Sequence, residues 1–301
     1  MILANHTIEI GMGRKGYIGS TMEKSVDRFS ISLTVDVESH DPTGGSKFMK
    51  SLDPLLDELK ARNIKATFFV NGEIINRCEK QICELIFEGH EIGLHGYSHR
   101  YLEAIGESDF RTELLRGFNE LGEVTGKYPL GFRAPYFSLN RSTHWAPRVI
   151  SETGFVYSSS VLPCNNPQSG FPGSPRTPFM WECGLLEFPS PVFGIGQWCL
   201  PVFGGGYLRV MPRPIVRYAA GKARRNRGSW TYCHPYDFDS GEPIHNSGSD
   251  SWLFRKLLGA RRQLMLPRII DLVDQNSVLL GDLARDSVFL SNLKEFRYKD
   301  W

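Results

Sequence analysis

The sequence predicts an α/β fold with a barrel-like parallel sheet. Short apolar segments alternate with amphipathic helical ones, the links between them are short, and the residues with chemical potential gather where strands end. Phe29 to Val35 alternates and is rich in β-branched residues, so it reads as the first strand. Phe48, Leu52, Leu55, Leu56 and Leu59 follow at spacings of three and four, which predicts a helix. Residues 66–70 form a short buried strand, 74–87 a helix and 90–94 a third strand. A helix over 108–124 ends near Gly126, Gly131 to Arg133 begins a strand-to-loop transition, and 143–152 is helical again. Phe155–Tyr157, Leu185–Phe188 and Trp230–Cys233 read as later strands. Residues 160–228 are too long and too rich in Pro and Gly for one simple crossover. A helical stretch from Ser251 to Leu293 follows.

At 301 residues the chain can bury a large core, with residues 29–301 expected as one domain and 1–28 as an N-terminal extension. A net charge of +2 argues against nucleic acid as a partner. The six Cys form no CxxC pair, which speaks against a zinc ribbon or redox dithiol. No apolar run reaches the ~18 residues of a membrane span, and the start lacks the pattern of a secretory signal. A reducing, cytoplasmic setting is therefore expected.

Asp36 and Glu38 stand two apart at the end of the first strand, where extended backbone points both to one side. Their repulsion is relieved by a cation or by protonating one of them, so the pair suits a metal ligand beside a general base, or else a polar loop. His95 and His99 stand four apart, and on the first turn of a helix both would face one ion. Two imidazoles and one carboxylate leave coordination positions open, which is the catalytic arrangement. Arg133, before Ala134-Pro135-Tyr136, could hold Asp36 ionised. His234-Pro235 follows an apolar strand and could supply a general acid, its pKa raised by Asp237 and Asp239. Arg213, Arg217, Lys222, Arg224, Arg225 and Arg227 could face a diphosphate or an anionic membrane, or form a solvated helix face.

In this order, Thr-Val-Asp-Val-Glu, His-Gly-Tyr-Ser-His, Arg-Ala-Pro-Tyr and His-Pro resemble the polysaccharide deacetylases of the NodB homology domain, from about residue 29 to 240. The Gly204-Gly-Gly-Tyr207 loop and the acidic residue after His-Pro resemble the subgroup associated with exosortase and exopolysaccharide loci. The resemblance implies a distorted (β/α)7 barrel with a long Pro/Gly-rich insertion and C-terminal helices. It implies that Asp36 is the catalytic base, that Arg133 pairs with it, that the Tyr136 N–H serves the oxyanion and that His234 is the acid. It places His95 and His99 on one divalent ion, zinc first, with cobalt or nickel as alternatives. The common family motif has two adjacent Asp, the second a metal ligand; Val37 stands there here, so Glu38 is the replacement ligand and His40 a second candidate. Tyr207, Tyr236 and Asp237 are the expected substrate contacts.

The function expected is removal of an N-acetyl group from an amino sugar in a polysaccharide or its nucleotide- or lipid-linked precursor, with peripheral membrane contact left open. The alternatives are a deformylase or cyclic-amide hydrolase on the same fold, or a carbohydrate-binding protein that has lost the metal.

Overall fold

The computed structural model describes residues 29–39, 46–166, 169–196, 198–239, 256 and 259–297. The expected N-terminal extension and His40 therefore lie outside the described residues. Strands β1 (Ser32–Val37), β2 (Thr67–Val70), β3 (Glu91–Leu94), β4 (Gly131–Phe132), β5 (Tyr157–Ser158), β6 (Phe179–Trp181), β7 (Leu186–Glu187), β10 (Trp230–Cys233) and β11 (Lys294–Phe296) form one sheet. Its order is β10-β1-β2-β3-β4-β5-β7-β6-β11. From β10 to β7 every neighbouring pair is parallel. That gives the seven parallel strands the resemblance implies, with β6 and β11 added beyond β7. Strands β8 (Phe193–Ile195) and β9 (Trp198–Leu200) form a separate antiparallel hairpin.

Side-chain parity sorts the sheet into two layers. Leu33, Val35 and Val37 of β1, Phe68 and Val70 of β2, and Ile92 and Leu94 of β3 enter the apolar layer that also holds the helices. That layer takes Leu55 and Leu59 of α1 (Asp53–Ala61), Ile82 and Leu85 of α2 (Glu79–Phe87), and Phe110, Leu114 and Leu121 of α4 (Glu107–Thr125). A four-residue helix, α3 (Leu102–Ile105), leads into α4, and α5 (Ala146–Thr153) precedes β5. Phe69, Tyr157, Leu186, Phe188 and Trp230 form a second cluster on the inner side of the sheet. Ser32, Thr34 and Asp36 alternate with the outward residues of β1, so they share that inner side. Trp230 Nε1 donates to Phe188 O at 3.2 Å, so the two ends of the parallel run meet through a side chain. No ladder joins β10 to β7 among the described residues.

The segment 188–229 holds the hairpin, α6 (Gly205–Val210) and α7 (Arg213–Ala223). Of the C-terminal helices, α8 (Met265–Leu272) packs into the outer layer, while α9 (Leu280–Leu283) and α10 (Ser287–Ser291) add Leu280, Leu283 and Phe289 to the inner cluster. The Gly281 N–H donates to half-buried Glu91 at 2.9 Å, and the Leu280 N–H to Thr67 Oγ1 at 3.3 Å. Those partners begin β3 and β2, so α9 stoppers the amino end of the barrel. Access is left at the carboxyl edge, where ligands bind in parallel α/β folds.

Candidate active site

Asp36 stands near the carboxyl end of β1, on the inner side. Arg133, the first residue past β4, reaches across and donates from Nη1 to Asp36 Oδ1 at 2.6 Å. Asp36 is 2% exposed and Arg133 not at all. An unpaired guanidinium could not be buried here, and the surroundings satisfy it on every side. Nη1 also donates to Thr34 Oγ1 at 2.9 Å, Nη2 to Ser159 Oγ at 2.9 Å and Nε to Ser159 O at 3.2 Å. The rings of Phe69 and Trp230 each lie 4.2 Å from the guanidinium carbon. Arg133 thus touches β1, β2, β10 and the chain after β5, and it orients one carboxylate oxygen while Oδ2 stays on the other side.

Glu38 lies one residue beyond β1 and keeps the parity of Asp36. Its Oε2 is 3.5 Å from His95 Nε2 and closer still to His99 Nε2. One ligand atom from each of the three lies within 4.8 Å of the others. The edge of a tetrahedron with ~2.1 Å metal bonds is ~3.4 Å, so a single ion fits this donor set with small adjustments. Burial would raise the Glu38 carboxyl, but the charge of His99 and the close contacts with His95 and His99 hold it well below the usual carboxylate range. His95 Nδ1 lies 3.1 Å from Arg133 O. A carbonyl only accepts, so Nδ1 carries the hydrogen and Nε2 presents its lone pair to the cluster.

The helix expected under His95 and His99 is absent; residues 95–100 are a loop. Gly96 sits at φ +60°, where an added Cβ would lie 2.7 Å from the Pro135 ring, and His99 itself is at φ 48°. Asn71 Nδ2 donates to Tyr97 O at 2.9 Å and His95 O at 3.3 Å, and the Gly72 N–H donates to Gly96 O at 2.9 Å. Glu113 on α4 accepts from Ser98 Oγ at 2.7 Å and from the Ser98 N–H at 3.2 Å. Side chains from two neighbouring segments therefore perform the positioning that a helix was expected to supply.

His234 follows β10, with Nε2 4.0 Å from Asp36 Oδ2. Its Nδ1 is 3.1 Å from Asp237 Oδ2, which also accepts the His234 backbone N–H at 2.9 Å. Burial disfavours the charged ring; the hydrogen bond to Asp237 and the charges of Glu38, Asp237 and Asp36 outweigh it, and the pKa is raised. Asp237 was also expected to touch substrate, but it is fully buried, with Oδ1 3.2 Å from Nη2 of the equally buried Arg209. It stands behind the histidine rather than at the mouth. Tyr236, 6% exposed, stacks on His234 at 4.5 Å between ring centroids. Tyr207 is half-buried on α6, its phenol raised by burial and by nearby Cys164. Tyr136 sits at φ 58° with its ring 4.9 Å from His99 and stacked on Tyr101 at 4.3 Å.

The glycine run before Tyr207 reads as a flexible link from sequence, and the structure corrects this. A Cβ on Gly204 would fall 1.9 Å from the Tyr232 ring. The absent side chain lets α6 press against β10, which brings Arg209 under Asp237. Asn71, Glu113, Ser159 and Tyr101 escaped the sequence reading. None belongs to a motif, and only the fold brings them close.

Residues 23–157 match the family "Polysaccharide deacetylase", and residues 159–278 a domain of unknown function (DUF3473). A peptidoglycan-N-acetylglucosamine deacetylase of Bacillus cereus is 36% identical over 93 residues, 31% of this chain and 34% of that protein. A peptidoglycan deacetylase of Helicobacter pylori is 31% identical over 108 residues, 36% of each chain. The chain thus spans about a third of the length of these relatives. A crystal structure from Mycobacterium smegmatis, described as a candidate polysaccharide deacetylase, superposes with TM-score 0.56 and 22% identity over 87% of this chain and 91% of that one, a likeness of fold. Residues 23–157 of this chain are thus similar to the polysaccharide deacetylase family.

Proposed function

We propose that this protein is a metal-dependent N-deacetylase acting on an N-acetylated amino sugar, with zinc as the first candidate ion and cobalt or nickel as alternatives. One observation carries the reading. A two-histidine, one-carboxylate cluster lies beside a second carboxylate and a third histidine, all on the inner side of the sheet at its carboxyl edge. The names of the two bacterial relatives support an N-acetylated amino sugar as the substrate class.

Glu38, His95 and His99 would hold the ion, which supplies Lewis-acid polarisation of an acyl carbonyl and of a water. Asp36 Oδ2 takes the proton of the attacking water, while Arg133 on Oδ1 pairs with the carboxylate and holds it in place. The 4.0 Å between Asp36 Oδ2 and His234 Nε2 is too long for a hydrogen bond, so the two act as separate groups around the reacting carbon. His234 Nε2 gives its proton to the leaving amine as the C–N bond breaks. Water and amide become acetate and a free amino sugar. The Tyr136 backbone N–H is the protein's donor toward the developing oxyanion.

The test measures acetate release from N-acetylglucosamine oligomers by the zinc-loaded protein, with metal content read in parallel. Asp36→Asn should abolish turnover and keep the metal, and His95→Ala should lose both. Turnover that survives Asp36→Asn would overturn the assignment of the base. No metal under any loading condition would overturn the enzyme reading altogether.

A further inference from the structure

Residues 188–236 hold seven Lys or Arg and no Asp or Glu. In the structure this acid-free stretch forms the β8–β9 hairpin, α6, α7 and β10. The hairpin leaves large apolar side chains in water: Ile195 is 88% exposed, Trp198 81% and Leu200 44%. On α7, Tyr218 is 60% exposed and its ring lies 5.8 Å from Phe193, which joins the helix to the hairpin as one face. We propose that this face docks on an anionic lipid bilayer, with the hairpin tip entering the headgroup region and the cations of α7 lying over lipid phosphates.

The charge argues for lipid. Arg213 and Arg224 meet Asp271 and Asp274 at 3.7 and 3.8 Å, and Arg227 meets Asp286. Arg217, Lys222 and Arg225 are exposed and have no acidic partner among the described residues. Trp, Ile and Leu beside unopposed cations match the boundary where anionic headgroups overlie hydrocarbon. The tip is also held in place. Arg176 donates to Gly194 O at 3.2 Å and to Gly196 O, and Cys199 Sγ donates to Pro163 O at 3.4 Å. Pro163 lies in the chain leaving the carboxyl end of β5, the sheet edge that carries the candidate active site. Docking would therefore bring that edge toward the bilayer.

The experiment is co-sedimentation of the full chain with vesicles of phosphatidylcholine alone, or mixed roughly 2:1 with phosphatidylglycerol. The chain should pellet with the anionic vesicles only, and added salt should release it. Each cation removed from such a surface weakens binding about fivefold, so Arg217→Gln with Lys222→Gln should lower the partition coefficient roughly 25-fold. Trp198→Ser with Ile195→Ser should weaken it with every cation in place. All four positions are exposed, so melting temperatures should match the parent protein. Failure to pellet would overturn the proposal, as would pelleting indifferent to both double variants. Equal retention on a soluble polyanion with no preference for vesicles would also overturn it. So would a concentration-dependent dimer that Trp198→Ser dissolves, which would give the tip to a second copy of the chain.

Discussion

Replacing Asp237 by Asn would separate the buried pair under His234 from its effect on the proton that His234 carries. Asp237 and Arg209 are both fully buried, 3.2 Å apart. Removing the negative charge leaves a buried guanidinium without its counter-ion, a loss of about 3–5 kcal/mol. Arg209 keeps a bond to Ala260 O at 3.0 Å, which favours the lower end. In a chain of this size that corresponds to a fall in Tm on the order of 10 °C.

The chemical effect differs in kind. Asn still accepts from the His234 ring but no longer stabilises its charge. A hydrogen bond to a charged partner contributes about 1.5–3 kcal/mol, and one pKa unit corresponds to about 1.36 kcal/mol, so the ring pKa should fall by about 1–2 units. His234 is raised in the parent protein, and its protonated form is the acid. The alkaline limb of kcat/KM against pH should therefore move down by about 1–2 units, with activity approaching the parent value below both limbs. The assay is acetate release across pH, run well below the variant's Tm. A uniform loss at every pH with the limb unmoved would refute the electrostatic role and leave Asp237 a purely structural part.

His99 is raised above its ordinary value of 6.5: burial opposes the charge, and the charge of Glu38 and its hydrogen bond outweigh it. A metal needs the neutral ring, so zinc affinity should fall about tenfold per unit as pH drops below that pKa, with one proton released per ion; calorimetry in buffers of different ionisation heat would refute this by counting none. Gly204→Ala should cost about 1–3 kcal/mol in chemical denaturation, because the new methyl meets the Tyr232 ring, and Tyr232→Ala should relieve much of that added cost. Val37→Asp combined with Glu38→Ala restores the family's adjacent carboxylates, yet zinc titration should find no binding and denaturation a loss of several kcal/mol. Retained zinc would mean that the end of β1 re-forms.

The elements legible in the sequence are those whose residues alternate or repeat over enough length to show a period. β1, β2, β3 and β10 were expected within a few residues of where they lie, and α1, α2, α4 and α5 show apolar spacings of three and four. β6, β8, β9 and β11 are three residues each, too short to display a period. Their pairing is decided by partners distant in sequence, as when β11 finds β6. The same limit governs the site. Asp36, Glu38 and His234 follow recognisable strands, so their convergence at one edge could be foreseen. The His95–His99 loop could not, because hydrogen bonds from Asn71, Gly72 and Glu113 shape it. Glycine has one letter for two uses, and nothing in Gly204 announces that Tyr232 will press against it.

The replacement of the usual adjacent carboxylate by Val37 follows from parity. β1 runs through Val37, which is fully buried in the layer facing the helices, in line with Leu33 and Val35. A carboxylate there would point away from the histidines and enter an apolar layer unpaired, which chains avoid at almost any site. Position 38 returns to the face of Asp36. Glu38 Oε2 from that position meets both His95 and His99, while Asp36, held by Arg133, stays outside the three-residue cluster. Ligand and base are thereby kept apart: the carboxylate beside the histidines is the one without Arg133, and the one bound to Arg133 keeps an oxygen toward His234.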